Sequence, residues 1–189
     1  MCMIIPVSYW AYFSTSDPMP QMKSLIEFAR QLYQQPGIQT CCLQLQDDLG
    51  IDVPFLLYLC WHGACAGRLP APQASAALDH SLLMSGQVIH PLRQVRRWMK
   101  AGWPSQPELR EQIKSAELQA EFALLGELEA YHTLPTRDSK DAVCSAGEAA
   151  IAANLAWYFG ALQVAPADIV TELLVNAAMQ CIRIPDAPI

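Results

Sequence analysis

Only 16% of the 189 residues are charged and only 8% aromatic, while 52% are hydrophobic, a balance too apolar and too weakly charged for a disordered chain. No run combines the alternation and turn chemistry of a β-hairpin, and no segment repeats, which excludes sheet-based and solenoid folds. The N-terminal stretch MCMIIPVSYWAYF is too short to span a bilayer, lacks a basic leader, and is closed off by Asp17, Pro18 and Pro20. It is expected to be a weakly ordered extension, and Met22 could serve as the functional start. There is no Cys-x-x-Cys pair, and seven is an odd number of cysteines. Most of them (Cys41, Cys42, Cys60, Cys65, Cys181) sit inside apolar segments, as buried thiols do in a reduced, cytoplasmic protein. A net charge of −6 opposes wholesale attraction to nucleic acid or an anionic membrane.

What is present is helical periodicity. Leu25, Phe28, Ala29 and Leu32 share one face of a first helix, stopped by Pro36 and Gly37. A second helix from Ile38 turns Ile38, Cys41, Cys42 and Leu45 inward and closes at Gly50. Asp52 stands where an N-cap belongs, with Pro54 in the first turn of a helix expected over 53–67. That helix, VPFLLYLCWHGACAG, has no wide polar face, so other helices must surround it. A helix from about Gln73 to Met84 follows, and Pro91 predicts a new start near His90 because the residue before proline avoids the helical region. In that next helix Leu92, Val95 and Met99 point one way, while Arg93, Arg96, Arg97 and Lys100 form a basic stripe. Gly102, Trp103 and Pro104 break the chain. The longest helix, about Gln106 to Tyr131, carries the seam Leu109, Ile113, Ala116, Ala120 and Ala123, joined later by Leu118, Phe122, Leu125 and Leu128 as the apolar face widens, with Arg110, Lys114, Glu117 and Glu121 as its exposed row. A polar connection over 135–145 precedes two last helices, about Ala146–Leu162 and Pro166–Cys181, and a tail expected to fray.

FARQLYQQPGI (Phe28 to Ile38), CLQLQDDLGIDVPFLLYLCW (Cys42 to Trp61), RQVRRWMK (Arg93 to Lys100), LREQIKSAELQAE (Leu109 to Glu121) and ANLAWYFGAL (Ala153 to Leu162) together resemble a family of short, all-helical proteobacterial proteins classed as a domain of unknown function. Its most specific piece is a Gln-Asp-x-x-Gly-x-Asp-Val pattern, matched by Gln46, Asp47, Gly50, Asp52 and Val53. The resemblance implies an all-helical cytoplasmic protein and leaves its activity open.

Three groups of residues are candidates for function. In the acidic turn, Gln46, Asp47 and Asp52 could line a small-molecule or metal pocket with Tyr58 or His62, and Asp47, Asp48 and Asp52 could supply oxygens to a hard cation, but a calcium loop needs a distal bidentate Glu that this segment lacks. Capping explains Asp52 and Gly50 without a ligand. Cys60, His62 and Cys65 suggest zinc, yet residues 60 and 62 point about 200° apart on a helix, and His62 reads better as a core histidine. The third is the basic stripe: six of the twelve Lys and Arg lie between Arg93 and Lys114. Exposed, the stripe would dock an acidic protein, a phosphate or RNA; otherwise it pairs with Glu108, Glu111, Glu117 and Glu121 on the next helix. Trp98 and Trp103 are expected to pack.

The sequence therefore predicts one all-α bundle of five to seven helices around a buried helix 53–67, divided into an extension (1–21), a helical domain (22–165) and a C-terminal helix with tail (166–189). It predicts no cofactor and no metal. The functional expectation is an interaction or regulatory module docking an acidic partner through Arg93, Arg96, Arg97 and Lys100, with Gln46 and Asp47 as a second candidate position. A small-molecule or metal-dependent enzyme and an RNA-binding protein are the alternatives.

Overall fold

The computed structural model describes residues 23–132 and 146–182, and these are all-helical. The expected N-terminal extension, the polar connection and the C-terminal tail lie outside the described residues. In chain order the elements are α1 (Leu25–Gln34), α2 (Ile38–Leu49), α3 (Val53–Cys65), α4 (Ala71–Met84), α5 (His90–Gly102), α6 (Pro107–His132), α7 (Glu148–Ala161) and α8 (Asp168–Ile182). A π-helical turn, Ser85–Ile89, joins α4 to α5 without a break, so the described residues form seven separate rods.

α3 is the axis of the bundle. Every residue from Val53 to Ala64 is buried, and α1, α4, α6, α7 and α8 pack around it. Its closest neighbour is α7. A Cβ on Gly63 would stand 2.7 Å from the Ile151 backbone, so only glycine permits this crossing. Polar groups then tie the crossing down: Gly147 N–H donates to the Gly63 carbonyl at 2.9 Å, and buried Asn154 accepts from Leu69 N–H at 2.8 Å while donating to the Leu59 and Gly67 carbonyls. Phe55, Tyr58, Trp61, Tyr158 and Phe159 fill the surrounding core.

The caps follow their local chemistry. Gly37 and Gly50 adopt left-handed φ values of 80° and 66°, and α2 buries Ile38, Cys41, Cys42 and Leu45. Asp52 caps α3 by accepting from Phe55 N–H at 2.9 Å.

Two expectations need correction. Pro91 does not begin a separate helix, because His90 keeps helical angles (φ −62°, ψ −44°) and the chain widens into the π-turn, which makes room for the ring and the missing N–H. The seam of α6 is partly different: Leu118, Leu125 and Leu128 are buried as expected, but Leu109, Ala116 and Ala123 are exposed, and Glu117 and Leu124 are buried as well. Glu117, assigned to the exposed row, is fully buried.

Candidate functional site

The reason for the buried glutamate lies on α5, whose inward face is not the one that apolar periodicity predicts. Arg93 and Arg96 turn inward with Met99, while Val95 (46% exposed) and Trp98 (61% exposed) turn out. Arg93 Nε donates to Glu117 Oε1 at 2.8 Å and its Nη2 to Glu121 Oε1 at 2.7 Å. Arg96 donates to both oxygens of Glu117, at 2.5 and 3.2 Å. Two guanidiniums and two carboxyl groups thus close a cluster between α5 and α6. Burial of these groups is tolerated because the charges are met by charge-assisted hydrogen bonds of good geometry. Burial pushes the Glu121 carboxyl up to about 7, with Glu117 adding to the rise and Arg93 opposing it.

The basic stripe therefore divides. Arg93 and Arg96 hold the α5–α6 hairpin and are not presented to solvent. Arg97, by contrast, is 43% exposed and meets Asp47 of α2 at 3.1 Å, an ion pair that a solvated partner can exchange at little cost. Lys100 is exposed at the end of the helix. Glu111 pairs with Arg110 and Lys114 of its own helix. Arg97 and Lys100 are the stripe residues on the surface, Arg97 about 100° round the helix from Trp98 and Lys100 on the turn beyond Arg97, while Val95 and Trp98 are exposed on the outer side. Trp98 sits against Gly102, where a Cβ would come within 2.7 Å of the indole. Trp103, expected to pack, is 45% exposed just beyond it.

A model for a protein family of unknown function, DUF2390, matches residues 24–128, more than half of the chain. The chain belongs to that family. No curated protein and no solved structure matches it. The DUF2390 region runs from α1 through most of α6, and so contains the whole arginine–glutamate cluster and the outer side of α5.

The acidic turn is taken apart in the same way. Asp52, buried, accepts from Phe55 N–H and Ser81 Oγ with one oxygen and from Ser85 Oγ with the other, while its own N–H donates to Tyr158 Oη at 2.9 Å. It ties the start of α3 to α4 and to the π-turn. Asp47 is on the surface with Arg97, and Gln46 is half-buried with its carbonyl accepting from Gly50 N–H. His62 is buried, its Nδ1 2.9 Å from the Gly67 carbonyl. Tyr58 Oη is buried with no hydrogen-bond partner among the described residues, and burial raises its pKa. An open depression of about 600 Å³ lies at the start of α6, lined by Pro107, Glu108, Glu111, Gln112 and Ser115, and none of these acidic-turn candidates borders it. Among the described residues no three His, Cys, Asp or Glu side chains are grouped to hold a metal. The thiols of Cys42, Cys60 and Cys181 are driven up by burial, Cys42 to about 12, which leaves them poor nucleophiles. No helix of the described residues is long and apolar enough to cross a membrane.

The pairing of the stripe with Glu117 and Glu121 on the next helix is formed by Arg93 and Arg96; what apolar periodicity missed is the outward turn of Val95 and Trp98.

Proposed function

We propose that this protein is an interaction module that docks an acidic, partly apolar partner on the outer side of α5. The observation that carries this reading is the pairing of exposed Val95 and Trp98 with the surface cations Arg97 and Lys100 on a helix that contains no acidic residue. Exposed tryptophan beside arginine is the residue chemistry enriched at the centres of protein interfaces. The buried cluster beneath makes α5 a fixed platform, so little order is lost on binding. The pocket reading near Gln46, Asp47 and Asp52 has less support, since Asp52 spends both carboxylate oxygens on α3, α4 and the π-turn while Asp47 faces solvent.

The test is a photo-crosslinking residue at position 95, compared in cells with one at Gln119, an exposed position on α6. A discrete adduct is expected from position 95, lost on Trp98→Ala and weakened on Arg97→Glu. Equal, diffuse labelling from both positions contradicts the docking reading. Flat dependence of binding on salt would further weigh against the charged flank, since exposed ion pairs are screened within about 8 Å at physiological ionic strength.

A further inference from the structure

We propose that α5 is a detachable helix, held to the bundle by a proton-operated clasp in which Glu121 is the group that takes up and gives up the proton. Hydrophobic burial does little to fasten α5. None of its residues from His90 to Gly102 belongs to the central apolar core, and its buried residues are Arg93, Arg96 and Met99. It packs on α6 and on the π-turn, and beyond its last residue the chain leaves through residues 103–106, all exposed. A helix with so few buried apolar contacts opens at lower cost than the bundle it lies on. What closes it is the arginine–glutamate cluster, with the exposed Arg97–Asp47 pair as a tie to α2. In the closed state α5 is the fixed platform described above, and the clasp does not depend on what docks there.

The two carboxyls of the clasp are not equivalent. Glu117, with no exposed side-chain surface, accepts from both arginines, whereas Glu121 accepts from Arg93 and stands at the rim with 14% of its side chain exposed. Arg93 thus divides itself between two carboxyls one helical turn apart, a spacing at which like charges repel. Ionising both is the costly state, and the member with water at its edge and fewer donors relieves it by holding a proton. The charged groups acting on Glu121 are Arg93 and Arg96 of α5 and Glu117 of its own helix. Among the described residues none comes from α1, α3, α4 or the π-turn, which also pack on α6. Burial, with Glu117 adding to it and the arginines opposing, sets the Glu121 carboxyl at about 7 against the ordinary 4.5. The closed clasp therefore holds a proton that an open, solvated Glu121 gives up. Raising the pH from 4.5 to about 7 makes opening about tenfold easier per unit, and above 7 the effect levels off. The clasp grips α5 on the acid side and loosens it on the neutral side.

Hydrogen exchange of the backbone amides in the purified full chain, from about pH 5 to about pH 8 and corrected for the intrinsic pH dependence of exchange, reads the clasp. The amides of α5 are expected to open separately from those of α3, with protection falling by about tenfold per pH unit up to about 7. Glu121→Gln, which keeps a neutral group at the rim, is expected to remove that slope and to protect α5 at least about tenfold more than wild type at about pH 8. Glu127→Gln, at an exposed position on the same helix, is expected to keep the wild-type slope. Exchange of α5 only together with α3, a flat wild-type profile, a slope that survives Glu121→Gln as one from exposed His90 would, or a slope lost in Glu127→Gln overturns the proposal. Titration of the Glu121 side-chain carboxyl by carbon NMR needs no variant. A midpoint near 7 supports the clasp, and one below about 5.5 overturns it.

Discussion

Replacing Glu117 by Leu should cost more than removing any surface charge of this protein. Glu117 is fully buried and accepts from Arg93 Nε and from both Nε and Nη2 of Arg96. Its loss leaves the Arg96 guanidinium, which is 3% exposed, without its carboxylate, and leaves Arg93 with Glu121 alone. Breaking a buried pair from one side costs about 3–5 kcal/mol, because the orphaned charge stays out of water. For a chain of this size each kcal/mol moves the melting point by about 2–4 °C, so Glu117→Leu should melt roughly 10 °C below wild type. The variant Arg93→Met, Arg96→Met, Glu117→Leu, Glu121→Gln removes all four ionisable groups together and should recover most of that loss, since well-packed replacements of buried ion clusters are neutral or stabilising by about 1–4 kcal/mol. Calorimetry together with urea unfolding measures both. A single variant that loses less than about 1 kcal/mol, or a quadruple variant no more stable than the single one, refutes the claim that the two arginines are buried and paired.

Gly63→Ala should destabilise by about 1–3 kcal/mol in urea unfolding, because its methyl meets the Ile151 backbone and α3 must separate from α7. Asp52→Ala should cost about 2–4 kcal/mol by the same assay, losing the α3 cap and the acceptor for Ser81 and Ser85, with Asp52→Asn intermediate. Glu121 makes stability fall as pH rises: its folded pKa of about 7 lies above the ordinary 4.5, so between those values the folded state holds a proton the unfolded chain has released. Stability is greatest near the lower value and declines toward pH 7, and Glu121→Gln should flatten that slope in a series of melts from pH 4.5 to 7.5.

Much of the bundle can be read from the sequence because it depends on local chemistry. The face of α2, the Gly50 stop and the Asp52 cap each follow from residues within one or two turns. The all-apolar α3 had to be central for the same reason. What local reading could not reach was decided at long range. On α5, apolar spacing turned Val95 inward, whereas the structure turns Arg93 and Arg96 inward because Glu117, more than twenty residues later, satisfies them. Hydrophobic pattern carries no information about a charge that is buried with its partner. Pro91 misled in a similar way, since a π-turn keeps a helix going where a simple α-helix would end. The candidate site was therefore found on the expected helix but on its other side, with Arg97 and Lys100 as the stripe residues left at the surface.

The central claim is that the outer side of α5 is where this protein meets its partner, and oxidative footprinting of Trp98 tests it most directly. In dilute purified protein Trp98, 61% exposed, should oxidise quickly, while fully buried Trp61 stays inert. In the cell, the account predicts that Trp98 is protected severalfold relative to the dilute protein, that Trp61 is unchanged, and that the protection disappears in Val95→Asp. Trp98 oxidised equally in the two settings contradicts it.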